Sequence, residues 1–356
     1  MKGSNTQQDK PASRKHTHRV TLREVAEYVG LSQTTVSFVL NRAPMARTIA
    51  QTTQDRIWEA ARELQYRPNI FARYLHTKRT YSVAVLVPDI GDEYSSVLIS
   101  GIERHLADCG FLYFVLSHRG IPEKVRDLPN TLMDRAVEGL IAINTPLNYT
   151  LPLPVVALSD ITQGPDITHI LIDNSRAATL ALEHLQQLGH KKIAAFQGPA
   201  GNGDTEDRWR CLTQVAQNLG IPIADERSVQ LGNTSTAEKH SMSEYGYWAT
   251  QELLRRNTNF TAIVAFNDGS AIGAIRALHD AGLQVPKDVS VIGLDDVWQA
   301  AYTVPRLTTI RQPLQHMGQI AAKTLLHIIE TGQKSQQNII LQPELILRES
   351  TAIATS

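Results

Sequence analysis

The sequence changes its pattern at Tyr81. From this residue onward, short apolar runs rich in β-branched side chains alternate with amphipathic stretches. Eight runs have the length and composition of buried strands, over residues 82–87, 112–116, 140–143, 155–158, 169–172, 192–196, 262–266 and 289–294. Helical patterns lie between most of them, for example over residues 96–109, 175–188 and 270–281. Because strands that are apolar throughout must be covered on both faces, this alternation predicts an α/β fold with parallel sheets.

The strand–helix alternation falls into two series. The first series ends near Ile172 and the second begins at Asp173. The segment is too long for one compact doubly wound sheet, so we expect two similar lobes. Since ligands bind at the carboxyl ends of parallel strands, a ligand cleft is predicted between the lobes.

The segment before Tyr81 has a helical pattern between residues 20 and 66. Thr21 and Glu24 fit a capping box at the start of a first helix. Gly30 supplies the left-handed turn that ends this helix, and Ser32 caps a second one. The order of helix, glycine turn and helix predicts a helix-turn-helix, whose second helix offers its first residues to base edges in the major groove.

Charge is divided unevenly along the chain. Lys plus Arg equals Asp plus Glu at 35 each, so the formal net charge is zero. Residues 1–80 hold 14 basic and 6 acidic side chains, whereas the rest of the chain holds 21 and 29. A net charge of +8 on the helical segment and −8 on the remainder favours a nucleic-acid partner for the first. Residues 1–18 are polar and without periodicity, which predicts a disordered basic tail.

Several classes of protein are disfavoured. Cys109 and Cys211 are isolated, which excludes a disulfide framework or zinc ribbon and suits a reducing cytosol. The first residues lack an apolar core for a signal peptide, and no run reaches the ~20 residues of a membrane span. No H-E-x-x-H motif, nucleophile elbow or Cys/His pair is present. We therefore expect a cytoplasmic protein that is not an enzyme and needs no metal or cofactor.

Several short sequence motifs together resemble those of one family. Residues 20–37 read VTLREVAEYVGLSQTTVS, and residues 64–69 read LQYRPN. PDIGDEY at 88–94 and VIGLDD at 291–296 continue in the same order. These motifs resemble those of the LacI/GalR family of bacterial transcriptional regulators, and the resemblance extends over nearly the whole chain. The resemblance implies a two-lobed core similar to periplasmic sugar-binding proteins, preceded by the all-α helix-turn-helix head.

The resemblance also implies a domain organisation. It places the head at residues 19–67 and a hinge helix or linker at 68–80. The first lobe takes residues 81–172 plus about 311–340, and the second takes 173–310 plus about 341–356.

The resemblance assigns DNA-binding positions in the head. Base-reading positions fall on Gln33, Thr34 and Phe38, and phosphate or docking positions on Thr21, Ser32, Thr35, Ser37 and Asn41. Many family members have Arg where this chain has Phe38, so a bidentate contact to guanine worth ~1–3 kcal/mol is given up there. Residues 42–48 are longer than the family usually has. They are predicted to loop into solvent, or to contact phosphates through Arg42 or Arg47, before a third helix capped by Thr53.

The connector carries a second DNA-binding element in the family. Asn69 ends the head, and the resemblance predicts a hinge helix that forms on operator DNA. Leu75 matches the apolar wedge inserted into the minor groove, with Ala72 beside it. A flexible linker is the alternative, because so short a helix is marginal on its own.

The effector-binding positions implied by the resemblance lie at predicted strand ends of both lobes. They are Tyr94 and Ser95 in the first βα loop, Ser159, Arg208, Asn267, Asp295, and Gln312 at the return crossover. An Asp that accepts two hydroxyl groups and a forked Arg suit a polyhydroxylated ligand. Tyr94 in the core, Asp295 or Asp296 as a helix cap, and Arg208 paired with Glu206 at the surface are the alternatives. Residues 198–204 resemble a phosphate loop but lack its Gly-Lys ending, and are predicted to flank the cleft.

These observations favour a regulator, expected to be a repressor that binds the bacterial nucleoid through its operator. A homodimer would present two heads to a pseudo-palindromic operator. A small-molecule effector, a carbohydrate or derivative, would close the cleft and change the hinge. A solute-binding protein without a DNA role and a sugar-modifying enzyme with an added DNA domain are the alternatives.

Overall fold

The structure is a computed structural model of the 356-residue chain. It describes residues 20–41, 44–66, 79–147, 149–159, 167–200, 203–232, 241–333 and 338–355. The chain divides into two compact units, residues 1–80 and 81–356. Within the described ranges, no helix combines the length and apolar character that crossing a membrane requires.

The first unit contains three described α-helices. They are α1 (Leu22–Val29), α2 (Gln33–Leu40) and α3 (Gln51–Glu63). Their apolar faces pack into one small core, with Val25, Val36 and Ile57 fully buried. Arg56 of α3 donates to the carbonyl of Val29 at 2.7 Å, which satisfies an acceptor that the end of α1 leaves open.

Local capping signals explain where α1 and α2 begin. Thr21 caps α1 and forms the predicted capping box with Glu24, whose carboxylate accepts from the Thr21 backbone amide at 2.7 Å. Gly30 ends α1 with φ of 67°, and Ser32 caps α2 by accepting from the Thr35 amide at 3.1 Å.

Two predictions for the head were wrong. Thr53 does not cap α3, because the helix begins at Gln51, two residues earlier. The segment Pro44–Thr48 is a 3-10 helix and not an open loop, and Ala46 is buried in the core of the head. Gln54 holds this segment by donating to the carbonyl groups of Ala46 and Ile49 at 3.0 and 2.8 Å. Arg42 lies outside the described residues.

The first sheet of the second unit is parallel. Its strands are β1 (Ser82–Val87), β2 (Leu112–Ser117), β3 (Leu140–Ile143), β4 (Val155–Leu158), β5 (Ile167–Ile172) and β11 (Ile339–Leu341). Their order across the sheet is β11-β5-β4-β3-β1-β2. The described helices that follow its strands are α4 (Glu93–Asp108), α5 (Pro122–Arg126) and α6 (Leu128–Asp134).

The second sheet repeats this plan with one antiparallel edge. Its strands are β6 (Ile193–Gln197), β7 (Ser228–Gln230), β8 (Ala262–Val264), β9 (Ser290–Asp295), β10 (Thr308–Arg311) and β12 (Glu344–Ile346), in the order β12-β10-β9-β8-β6-β7. Only the β10–β12 pair among them is antiparallel. The helices are α7 (Asn174–Gln187), α8 (Gly203–Asn218), α9 (Met242–Arg255) and α10 (Asp268–Asp280).

The chain passes between the two sheets three times, after β5, after β10 and between β11 and β12. After β10, helix α11 (Leu314–Thr331) returns to pack against α4 in the core of the first lobe. The two helices approach closely, since a Cβ at Gly101 would lie 2.0 Å from the carbonyl oxygen of Gln315. The middle of α4 is therefore packed directly on the first turns of the returning helix.

The predicted fold class is confirmed: a helical head precedes a core of two parallel α/β lobes. The eight predicted strands are present, three of them with the predicted ends and the others with ends shifted by one or two residues. Strands β7, β11 and β12 were not predicted, because they are three-residue edge strands whose residues are partly or fully exposed. Strand β10 was not predicted either, although the first three of its four residues are buried. The exact boundaries proposed for the hinge and the lobes remain predictions.

Candidate functional site

The first lobe contributes the start of α4 to the cleft. Asp92 caps this helix, since its carboxylate accepts from the amide of Ser95 at 3.2 Å and from the Ser95 hydroxyl at 2.9 Å. Tyr94 and Ser95 therefore lie in the first turn of a helix, and their placement in a βα loop was wrong. The strong Asp cap starts the helix three residues before the predicted position.

Tyr94 joins the core to the strand end of β4. Its ring belongs to the buried core of the first lobe, as the alternative interpretation predicted, while its hydroxyl group hydrogen-bonds the Ser159 hydroxyl. Ser159 directly follows β4 and has a positive φ of 56°. Burial raises the pKa of Tyr94, so the phenol is neutral and can donate or accept a hydrogen bond.

Arg208 lies on α8 in the second lobe and is paired with a buried carboxylate. Its Nε is 2.8 Å from Oδ2 of Asp204, one helical turn earlier, and the two side chains are only 11% and 6% exposed. The guanidinium also lies over the ring of Phe266, 5.1 Å from its centroid. Pairing with Glu206 at the surface is wrong, because Glu206 is exposed on the other face of α8. Asp204 itself lies in the first turn of α8, not in a flanking loop.

Asp295 ends β9 in a left-handed turn. Its φ is 123° and that of Asp296 is 59°, which directs the two carboxylates to opposite sides. Asp295 is 3% exposed and accepts from the Gln312 side-chain amide at 2.7 Å, so it does not cap a helix. Burial raises the pKa of Asp295 well above its usual value, although the nearby Arg208 opposes the rise. Asp296 instead pairs with Arg311, at 2.7 Å, and with a second arginine.

A second buried carboxylate stabilises this turn through hydrogen bonds. Asp268 accepts from the backbone amide of Val297 at 2.9 Å and from the Thr309 hydroxyl at 2.5 Å. A Cβ at Gly293 would lie 2.2 Å from this carboxylate, so only glycine fits there. Burial raises the pKa of Asp268 to about 7, with the hydrogen bond from Thr309 acting in the opposite direction. Asp268 thus fixes the turn that places Asp295.

Two predicted residues are held in different ways. Asn267 caps α10, and its side-chain oxygen accepts from the Ser270 amide at 2.9 Å, so part of its polar group is already engaged. Gln312 is 3% exposed, and its Oε1 has no hydrogen-bond donor within the described residues. The same holds for Oδ1 of Asn144, at the end of β3. A ligand with hydroxyl or N–H groups would satisfy such buried acceptors.

The two lobes meet at these residues. The charge of Arg208 acts on both Tyr94 and Asp295, which lie on different lobes. A direct hydrogen bond also joins the lobes, from the side-chain amide of Gln299 to Glu93 at 3.1 Å. The structure therefore brings together Tyr94, Ser159, Arg208, Asp295 and Gln312, as expected for strand ends that face one cleft.

Sequence reasoning missed four residues of this region. Asp92 and Asp204 were detectable, because each stands at cap or i,i+4 spacing from a residue that was singled out. Asp268 and Asn144 gave no local signal, since their roles depend on contacts with distant strands.

The second candidate site is the exposed face of α2. Gln33 and Thr34 are exposed at its start, with no side-chain hydrogen bond among the described residues. The hydroxyl groups of Ser32 and Thr35 contact each other at 2.8 Å, so the cap is closed on itself. Phe38 is half-buried. The first turn of α2 is therefore free to meet a partner.

The other predicted DNA-binding residues differ in what the structure says of them. Asn41 donates to the Ser37 hydroxyl at 3.1 Å, which ties the end of α2 together. Asn69, Ala72 and Leu75 lie outside the described residues, and their roles stay predictions.

Two family models match the chain. The model for bacterial regulatory proteins of the lacI family matches residues 21–69, and the periplasmic binding protein-like domain matches residues 182–351. The HTH-type transcriptional repressor PurR of Aliivibrio fischeri is 31% identical over 345 residues, which cover 93% of this chain and 98% of the repressor. Relatives of this kind are transcriptional regulators, in agreement with the expectation of a non-enzyme.

Solved structures give the same assignment. The Lac repressor dimer bound to operator and the anti-inducer ONPF matches with a TM-score of 0.81 and 28% identity, over 94% of this chain and 100% of that chain. A LacI family regulator from Enterococcus faecium with bound ribose matches with a TM-score of 0.65 and 29% identity, over 77% and 100% of the two chains.

Proposed function

This chain belongs to the lacI family of bacterial regulatory proteins, and we propose that it is a repressor whose operator affinity is controlled by a small molecule bound between its lobes. The observation that carries the proposal is the set of buried polar groups at the cleft. Tyr94 from the first lobe and Arg208 and Asp295 from the second are buried together across the boundary of two lobes. A ligand that contacts both sides favours the closed arrangement by the difference between its affinities for the closed and open states.

We propose that the ligand is a sugar or a sugar derivative. The unpaired Oε1 of Gln312 needs a donor, and the carboxylate of Asp295 can accept from hydroxyl groups. The related regulator with bound ribose supports the same class. Ligand binding would then reach the DNA through the hinge at 68–80, acting in the cytoplasm on operator DNA at the nucleoid.

Direct base reading is assigned to Gln33 and Thr34. Both are exposed at the start of α2, where a helix in the major groove meets base edges. Gln can pair bidentately with adenine, and the methyl group of Thr can contact that of thymine. Phe38 lies further along the helix and can make only apolar contacts.

The functional form we propose is a homodimer on a pseudo-palindromic operator. Leu112 and Phe114 on the edge strand β2 are 65% and 42% exposed, which is unusual for large apolar side chains at a sheet edge. A second copy of the chain would cover this edge. The related Lac repressor was solved as a dimer on its operator.

The experiment is a selection of bound duplexes from a random DNA pool by the full chain, followed by gel-shift titration over a range of salt. We expect one enriched site with two-fold symmetry and an affinity that falls steeply with salt. Gln33→Ala should weaken binding to this site by about 1–3 kcal/mol and relax its preference at one position per half-site.

The matched control is Gln217→Ala, which removes an exposed glutamine from α8 in the second lobe. It should leave the titration unchanged. Absence of any enriched sequence at every salt concentration would eliminate the regulator proposal, and enrichment of sites without two-fold symmetry would eliminate the dimer.

A further inference from the structure

Asp204 and Arg208 form a buried ion pair within one turn of α8. The Nε–Oδ2 distance is 2.8 Å, and both side chains are nearly removed from solvent. The carboxylate of Asp204 is held in turn by Asn174, whose side-chain amide donates to its Oδ1 at 3.2 Å. Asn174 is the first residue of α7, directly after the chain has crossed from the first lobe to the second. The hydrogen bond from Asn174 therefore holds the buried ion pair in place next to the crossover between the lobes.

The polar side chains that face Arg208 come from several elements. Asp204 lies on its own helix, Asp295 at the end of β9, and the neutral Tyr94 on α4 of the first lobe. Asp295 is also within the field of Asp92, the cap of α4, and of Asp268. Burial disfavours the charge on Arg208, but the carboxylates of Asp204 and Asp295 outweigh burial and raise its pKa. One guanidinium is thus surrounded by more than one carboxylate, and the described residues leave no net positive charge at this place.

This balance decides which ligands the cleft can hold. A phosphate or carboxylate group is bound tightly in proteins when it meets a guanidinium that is free to form a bidentate contact. Here Asp204 already balances the charge of Arg208, so an anion that met the remaining N–H groups would enter a desolvated site without net positive charge, close to a buried carboxylate. An uncharged hydroxyl group needs no such exchange, because it can accept an N–H of Arg208 and donate to Gln312.

We propose that Asp204 sets the charge selectivity of the effector cleft: by neutralising Arg208 it excludes anionic ligands such as phosphorylated sugars and admits uncharged, hydroxyl-bearing ones. The proposal rests on the effector function proposed above, and assigns a positioning role to a residue outside the predicted site. Removing the charge of Asp204 should convert Arg208 into an anion-binding group.

The test uses inorganic phosphate as the probe, with the full chain and with sodium chloride of equal ionic strength as reference. Thermal unfolding and isothermal titration are measured for the wild-type chain and for Asp204→Asn. We expect no phosphate-specific stabilisation of the wild type, and at least a tenfold gain in phosphate affinity in Asp204→Asn. The gain should disappear when Arg208→Gln is added to that variant. Glu206→Gln is the matched control, since it also removes one negative charge from α8 but at an exposed residue on the other face of the helix, and it should behave as the wild type.

Two outcomes would overturn the proposal. One is phosphate binding by the wild type that Arg208→Gln abolishes, and the other is a folded Asp204→Asn chain that gains no affinity. If circular dichroism shows that Asp204→Asn does not fold, the wild-type measurement decides alone: phosphate binding that needs Arg208 overturns the proposal, and its absence supports it. A phosphorylated effector that acts through Arg208 would refute this inference while leaving the regulator function intact. Failure of the DNA selection would refute the regulator function and would leave this inference about Asp204 intact.

Discussion

The contact between α4 and α11 makes a quantitative prediction for Gly101→Ala. A Cβ at this position would lie 2.0 Å from the carbonyl oxygen of Gln315 and 2.9 Å from its carbonyl carbon. The reciprocal position is equally tight, since a Cβ at Gly318 would lie 2.2 Å from the carbonyl oxygen of Leu98. Neighbouring atoms here belong to helix backbone and cannot rotate away. The two helices must therefore separate by about 1 Å to reach the shortest normal contact of ~3 Å.

Two opposing effects decide the magnitude. Alanine in a helix interior is favoured over glycine by about 1 kcal/mol. Overpacking a close-packed core costs about 1–3 kcal/mol and occasionally more, and a backbone contact on both sides of the interface belongs at the upper end. We therefore expect Gly101→Ala to lower the free energy of unfolding by about 2 kcal/mol, and the melting temperature by about 4 °C or more.

Urea and thermal denaturation of the full chain would measure this change. Gly91→Ala is the control, because its Cβ would meet only the Asp89 carboxylate at an ordinary 3.5 Å. It should change the stability by less than about 1 kcal/mol. If Gly101→Ala were as stable as the wild type, the close approach of α4 and α11 would be incorrect.

Four further predictions concern other parts of the molecule. Burial lowers the pKa values of His184 and His190, so the unfolded chain binds their protons more readily. The free energy of unfolding should therefore have its full value above about pH 6.5 and decrease below that pH. A urea denaturation series in which His190→Gln leaves this pH slope unchanged would contradict the prediction. Ser241→Ala removes the capping box of α9 and should cost about 1 kcal/mol in thermal unfolding, whereas no loss would exclude a stabilising cap. Asp295→Ala should abolish the response to a sugar found by thermal-shift screening while gel shifts show unchanged DNA affinity; an unaltered ligand titration would remove Asp295 from the site. Leu75→Ala should weaken operator binding in gel shifts and leave ligand affinity intact, and a change in both would refute independent modules.

Local signals in the sequence were enough to predict the head and most of the strands. The caps at Thr21 and Ser32 and the turn at Gly30 depend only on residues within four positions, so they could be read directly. Asp92 gives the same kind of helix-capping signal, but the prediction did not include it, and Tyr94 and Ser95 were therefore assigned to a loop.

The remaining features depend on contacts between distant parts of the chain. Asp268 gains its role from Thr309 and Val297, and Asn144 from the end of its neighbouring strand, which no local pattern encodes. Arg208 was assigned to the cleft, with pairing to Glu206 as the alternative, and its actual partner at i−4, Asp204, was not predicted. Position within a lobe could thus be predicted, whereas the pairing of charges within it could not.

The three passages of the chain between the sheets have a consequence for the order in which the protein is made. The core of the head is formed by residues within the range 20–66, so the head can fold while the ribosome is still adding the first lobe. The first sheet, in contrast, receives β11 and the supporting helix α11 only after most of the second lobe has been synthesised. During synthesis, the helix-turn-helix head can therefore fold before the first lobe is complete. A ribosome that stalls before residue 314 would leave a folded head attached to two unfinished lobes, which lack α11, β11 and β12.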